Sequence, residues 1–242
     1  MSSRFALIAL AACALAALDC AGASAKVDAW ADVPLAQRPV AGTPNIGGVW
    51  QMPRRIVALK TVDGREPPLL PAAKAQYARN IAALKADPGA DPISGCLMHG
   101  LPRLLYAPYP VLISQERDRI NFVHEANHTF RIVTLTKPLP KVDEDLDPQW
   151  LGHSAGRWEG RTLVIDTVGF NDKTWLDYSG LPHSDQLRIQ ERYKLAGHDR
   201  IKGEITITDP RTFAAPWTTS FVLTRKPNYD LKESVCARDH RM

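Results

Sequence analysis

Apolar residues recur at every second position through much of the second half of the chain, the period of a strand with one buried face. The runs 111–116, 119–125, 129–135, 161–168, 187–195, 201–208 and 217–224 show it, with Pro, Gly, Asn and Asp in the gaps between them. Gaps as short as Gly197-His198-Asp199 suit hairpins, so the pattern predicts an antiparallel meander. Strands and helices do not alternate, which disfavours a parallel α/β sheet. Gly47-Gly48-Val49-Trp50 marks one short opening strand inside a Pro/Gly-rich segment, 26–70. One helix is expected over 71–86, beginning at Pro71 and stopping at Asp87-Pro88-Gly89, with Tyr77, Ile81 and Leu84 on one face. The fold class is therefore all-β: a single domain over 45–240, its body spanning 87–242, closed as a barrel by the strand near Trp50, with the helix packed outside. A two-layer sandwich is the other arrangement this pattern allows.

The first 25 residues read as an address. Arg4 precedes an unbroken apolar run, Phe5 to Leu18, and Ala23-Ser24-Ala25 is a small-x-small cleavage site. The run is too short to span a bilayer, which needs about 20 residues. Cys20 follows the run, but Asp19 stands where a lipid-modification site would have a small residue. Cleavage near Ala25 predicts a periplasmic or secreted protein of 217 residues. It removes Cys13 and Cys20 and leaves Cys96 and Cys236, which in an oxidising compartment read as a disulfide. Charge changes the picture little. Thirty Lys+Arg against 26 Asp+Glu are interspersed without a basic block, so neither nucleic acid nor a membrane span is expected as a partner.

Alternation also shows polar residues on the buried side. Glu191 shares a face with Leu187, Ile189, Tyr193 and Leu195, and Asp209 continues the face of Ile201, Ile205 and Ile207. An inward carboxylate is costly unless it is paired, hydrogen-bonded or protonated. Glu191 could pair with an arginine such as Arg131, and Asp209 could cap the turn at Pro210. Alternatively either could serve as a base in a polar pocket. His124 lies on the face of Ile120 and Phe122, and Glu125 on that of Val123. The loops add Gly152-His153-Ser154-Ala155-Gly156, then Gly169 to Asp177 with Asn171 and Trp175, then His183-Ser184-Asp185. The chain has no P-loop or dinucleotide fingerprint. Neither a metal nor a cofactor is expected, although His153 and His183 could converge in space.

The stretch Gly156 to Asp177 (GRWEGRTLVIDTVGFNDKTWLD) with Gly180-Leu181-Pro182-His183-Ser184-Asp185 resembles a large family of secreted bacterial proteins. The segment Cys96–Arg103, Asp209-Pro210, Pro216-Trp217-Thr218 and Cys236 extend the likeness over most of 45–240. Two features depart from the family pattern: Arg161 stands where an acidic residue is usual, and the proline usual near Met98 is missing. The resemblance implies secretion and a shared architecture. Glycine followed by tryptophan on the first strand is also how lipocalin- or calycin-like barrels begin.

These readings predict a secreted enzyme doing cofactor-independent acid–base chemistry, as a lyase, isomerase or hydrolase, on a small apolar or aromatic molecule in a barrel pocket. Glu191 or Asp209 would be the base and His183 or His153 the acid. Arg131 or Asn171 would steady negative charge, and Trp175 and Tyr193 would form the wall, with His124 and Glu125 nearby. The alternative is a lipocalin-like small-molecule binding protein without catalysis.

Overall fold

The computed structural model describes residues 40–143, 145–234 and 236. The leader peptide and its cleavage site lie outside them. Nine strands form one closed barrel in chain order: β1 Gly48–Gln51, β2 Val111–Gln115, β3 Arg119–His124, β4 Phe130–Thr134, β5 His153–Glu159, β6 Thr162–Val168, β7 Arg188–Leu195, β8 Arg200–Thr208 and β9 Trp217–Arg225. β1 closes the ring against β9, with Trp50 opposite Arg225. The expected barrel, its closing strand at Trp50 and its one α-helix are all present. The helix, α1 Pro71–Ala86, rests its Ala73 and Asn80 face outside the barrel, and Asn80 Nδ2 donates to the Gly180 carbonyl at 2.8 Å.

Two features correct the expected meander. β5 is not predicted by the alternation, because His153–Glu159 has no apolar period and Gly152 and Gly156 read as a loop. The reason is steric. A side chain at Gly156 would sit 2.8 Å from Val133 on β4 and 3.0 Å from Leu135 just after it, and these two supply the apolar cover that β5 lacks. In addition, β4 and β5 run parallel, and their ladder covers only Val133–Ser154 and Thr134–Ala155. Every other neighbouring pair in the ring is antiparallel. A parallel pair cannot be joined by a hairpin, and residues 135–152 carry the chain back across the barrel.

The barrel interior is filled. Trp50, Phe122, Ile165, Tyr193 and Ile205 are all at most 1% exposed. Tyr193 stacks edge-on against Phe221, whose ring lies over Gly203 on the neighbouring strand. From between α1 and β2, the turns Leu101–Tyr106 push in Leu101, Leu104, Leu105 and Tyr106, and the Tyr106 hydroxyl reaches Thr219 on β9. This plug was not visible in the strand pattern, because Leu101 to Tyr106 has neither helical nor alternating periodicity. Among the described residues, no helix is long and apolar enough to cross a membrane. Cys96 and Cys236 form the expected disulfide across a separation of 140 residues.

Candidate functional site

Cross-strand register puts inward positions of five consecutive strands side by side. Phe122 faces Arg131, Val133 faces Ser154, Ser154 faces Thr167, and Ile165 faces Glu191. The Arg131 guanidinium therefore reaches over β5 and β6 to Glu191 on β7. Its terminal nitrogen donates to Glu191 Oε2 at 2.5 Å and to Thr167 Oγ1 at 2.8 Å, and its Nε donates to Ser154 Oγ at 3.0 Å. The Tyr193 hydroxyl donates to the other Glu191 oxygen at 2.7 Å. All of these donors and acceptors lie within or beside an aromatic interior, and Glu191 is 1% exposed. Burial works against the charge on Arg131, but the adjacent carboxylate outweighs it and holds the guanidinium above its ordinary value. Burial, followed by the nearby Glu191 charge, raises the Tyr193 phenol well above its own, so it stays protonated and donates.

This network joins Glu191, Arg131 and Tyr193, as the pairing alternative anticipated. The remaining expected residues sit elsewhere. Asp209 accepts from Ser184 N at 2.6 Å, Ser184 Oγ at 2.7 Å, Thr212 Oγ1 at 2.8 Å and Arg211 N at 3.1 Å, so it organises the turn at Pro210. His183 Nδ1 donates to the Ser184 carbonyl, and its Nε2 takes the Thr174 hydroxyl proton at 2.7 Å. Burial is the main cause lowering its pKa. Asn171 holds its own turn by accepting from Lys173 N, and Trp175 is half-buried in the same loop. Asp177, which sequence reasoning left without a role, shapes that loop by accepting from Leu59 N, Ser179 and Leu181 N. Among the described residues, no three His, Cys, Asp or Glu side chains gather at one point.

His124 and Glu125 are both buried but do different things. Glu125 accepts from the Tyr229 hydroxyl and Lys232 N, both at 2.9 Å, and Ser234 N donates to His128 at 3.0 Å, which seats the C-terminal tail at that corner. His124 projects inward near Arg131. Burial, reinforced by the Arg131 charge, lowers its pKa to about 3. His99, just beyond the disulfide, is lowered to about 4 by burial and by Arg103. Both imidazoles are neutral in the fold, whereas in the unfolded chain they protonate below about 6.5. The unfolded state therefore binds more protons as pH falls from 6.5 toward those values, and stability is lost in that window. The expected loss is about 1.4 kcal/mol per histidine per pH unit. Urea unfolding of the wild type and of His124→Asn between about pH 7 and pH 4.5 checks this: the variant should show the shallower decline, and equal slopes would remove His124 from the account.

A wide opening lies at the parallel seam. Beyond their two paired positions β4 and β5 part company, and a cleft of about 1020 Å³ opens between them and the 137–152 connection. On β4 the usual pattern is inverted. Arg131 points in at 5% exposure, while Phe130 and Ile132 point out at 67% and 51% and line the cleft. Leu139, Trp150 and Met98 add apolar wall, and Arg131, Ser154 and His153 border it too. His153, expected on a loop, stands on β5 with its Nε2 donating to the Asp147 carbonyl at 2.9 Å. Thr129 also lines the cleft. Its hydroxyl is buried and has no hydrogen-bond partner among the described residues. Thr129, Phe130 and Ile132 were missed as site residues. Outward apolar residues on a strand that carries an inward arginine were the signal that could have found them.

The fold and site define a class: a closed nine-stranded β-barrel with a plugged interior, an internal Arg–Glu–Tyr network, and an apolar cleft where one strand pair comes apart. No family model, curated protein or solved structure matches the chain.

Proposed function

We propose that this protein binds a small, largely apolar molecule in the cleft at the β4–β5 seam, as a binding protein rather than a catalyst. The observation that carries the reading is the inverted strand: Phe130 and Ile132 present their side chains to a cleft of ligand-binding size, not to the core. Proton transfer is the less favoured reading. A general base needs a lone pair free to face a substrate, and the oxygens of Glu191 and Asp209 are taken up by the donors around them.

Titration of the oxidised protein with a neutral fluorophore such as 1-aminoanthracene should give saturable one-site binding and quench Trp150. Phe130→Ser, at an exposed position, should weaken it by at least about tenfold, the equivalent of losing about 1.4 kcal/mol of apolar contact. Unchanged affinity in that variant would place any binding elsewhere.

A further inference from the structure

At the seam cleft, β4 offers open backbone as well as apolar side chains. His124 N donates to the Thr129 carbonyl and Leu135 N to the Asp118 carbonyl, so the odd-numbered residues of this stretch turn their amides toward β3. Successive residues of a strand send their N–H and C=O groups to opposite edges. Those of Phe130 and Ile132 therefore leave by the other edge, on the side of the cleft. β5 meets that edge only at Val133 and Thr134. Among the described residues, the N–H groups of Phe130 and Ile132 and the Phe130 carbonyl have no backbone partner. The connection that walls the cleft cannot easily fill the gap, because Pro138, Pro140 and Pro148 have no N–H to offer. No charged side chain of β4 stands over this edge either. Arg131 points inward to Glu191, while Phe130 and Ile132 take the outward face. An open, uncharged strand edge is a template for another extended chain.

We infer that the ligand of the cleft is a short extended peptide with apolar side chains at alternate positions, added as a strand along Phe130–Ile132. This rests on the binding reading above and names the chemistry of the ligand at that same site. A peptide carries N–H and C=O groups at strand spacing, so it satisfies all three open backbone groups at once, while its side chains supply the selectivity. Three residues of edge span about 10 Å, a length that three to five peptide residues cover and that a cleft of about 1020 Å³ can hold. Outward side chains of the added strand lie beside Phe130 and Ile132. The residues between them point toward a filled interior, where Val133 and Leu151 are already buried, and so must be small.

Terminally blocked pentapeptides with leucine at the odd positions and alanine at the even ones test it. One is unmodified, one is N-methylated at its leucines and one at its alanines. Each is titrated into the oxidised protein by calorimetry and competed against 1-aminoanthracene. The unmodified peptide should bind saturably and displace the dye. Amides along a bound strand point alternately toward β4 and away from it, so one methylated form should bind at least about tenfold more weakly and the other within about threefold. Loss in the leucine-methylated form means antiparallel addition, and loss in the alanine-methylated form means parallel addition. Equal affinity of all three, or equal loss in both methylated forms, overturns strand pairing at this edge. A dimer in sedimentation that Phe130→Ser dissolves puts a second copy of the chain on the edge and overturns the peptide as its occupant. Peptides that leave bound 1-aminoanthracene in place overturn this inference and leave the binding reading standing, whereas saturable binding of neither dye nor peptide overturns both.

Discussion

Truncating Arg131 to alanine is expected to destabilise the protein by about 3–5 kcal/mol, because it strands the Glu191 carboxylate in an aromatic interior with only the Tyr193 hydroxyl for company. The loss goes beyond one ion pair. Arg131 also donates to Ser154 and Thr167, which tie β4 to β5 and β6 from inside where the backbone ladder has shrunk to two positions. Urea unfolding of Arg131→Ala, Glu191→Gln and the double variant would separate the two roles. If the cost lies in the uncompensated charge, the double variant should recover part of the loss, since replacing both partners is often close to neutral. If it lies in holding the seam, the double variant should be as unstable as Arg131→Ala. An Arg131→Ala protein of wild-type stability would mean that the network orders the interior without stabilising it. The aromatic side chains around the pair make this the least expected result, since low local polarity raises the cost of an unpaired charge.

Removing the Cys96–Cys236 bridge should have an effect of similar size. A loop closed over 140 residues of separation corresponds to about 5 kcal/mol in the chain-entropy treatment, with smaller values common. The bridge fastens the C-terminal tail, whose other anchors are the bonds from Tyr229 and Lys232 to Glu125 and from Ser234 to His128. Paired Cys96→Ser and Cys236→Ser substitutions, compared with the oxidised wild type by thermal and urea unfolding, should show a loss of several kcal/mol. Protease cleavage near Tyr229 should become faster at the same time, because three hydrogen bonds at a partly exposed corner are a weak restraint. Wild-type stability in the paired variant would mean that those bonds alone hold the tail and that the bridge is dispensable. Met98 and His128 both border the seam cleft and flank these attachments, so the same variant, titrated with 1-aminoanthracene, also reports whether the tail shapes the cleft.

Much of this architecture could be read from local pattern. Period-two alternation located β2, β3, β4, β6, β7, β8 and β9 to within a residue or two, and Gly48-Val49-Trp50 located the closing strand, because each strand must turn one apolar face toward the core whatever its neighbours are. The same alternation put Glu191 and Asp209 on the inside and made a pairing with Arg131 one of the available outcomes. Two strand-defining facts escaped it. β5 has glycine and serine where it faces inward, and its apolar cover comes from Val133 on β4 and Leu135 just after it. The direction of β4 against β5 depends on where a connection of 18 residues returns, which no local period records.

The candidate site divides along the same line. By itself the sequence determined which residues are polar on a buried face and which two cysteines remain to pair after cleavage. Only the tertiary structure decided that Arg131 crosses two strands to neutralise Glu191, that Asp209 is satisfied by Ser184 as well as its own turn and His183 by Thr174, and that Phe130 and Ile132 look outward over a cleft. The physical reason is range. Which face a residue takes follows from its immediate neighbours along the chain, but what it meets there follows from register and closure, and those are set by the packing of segments far apart in sequence.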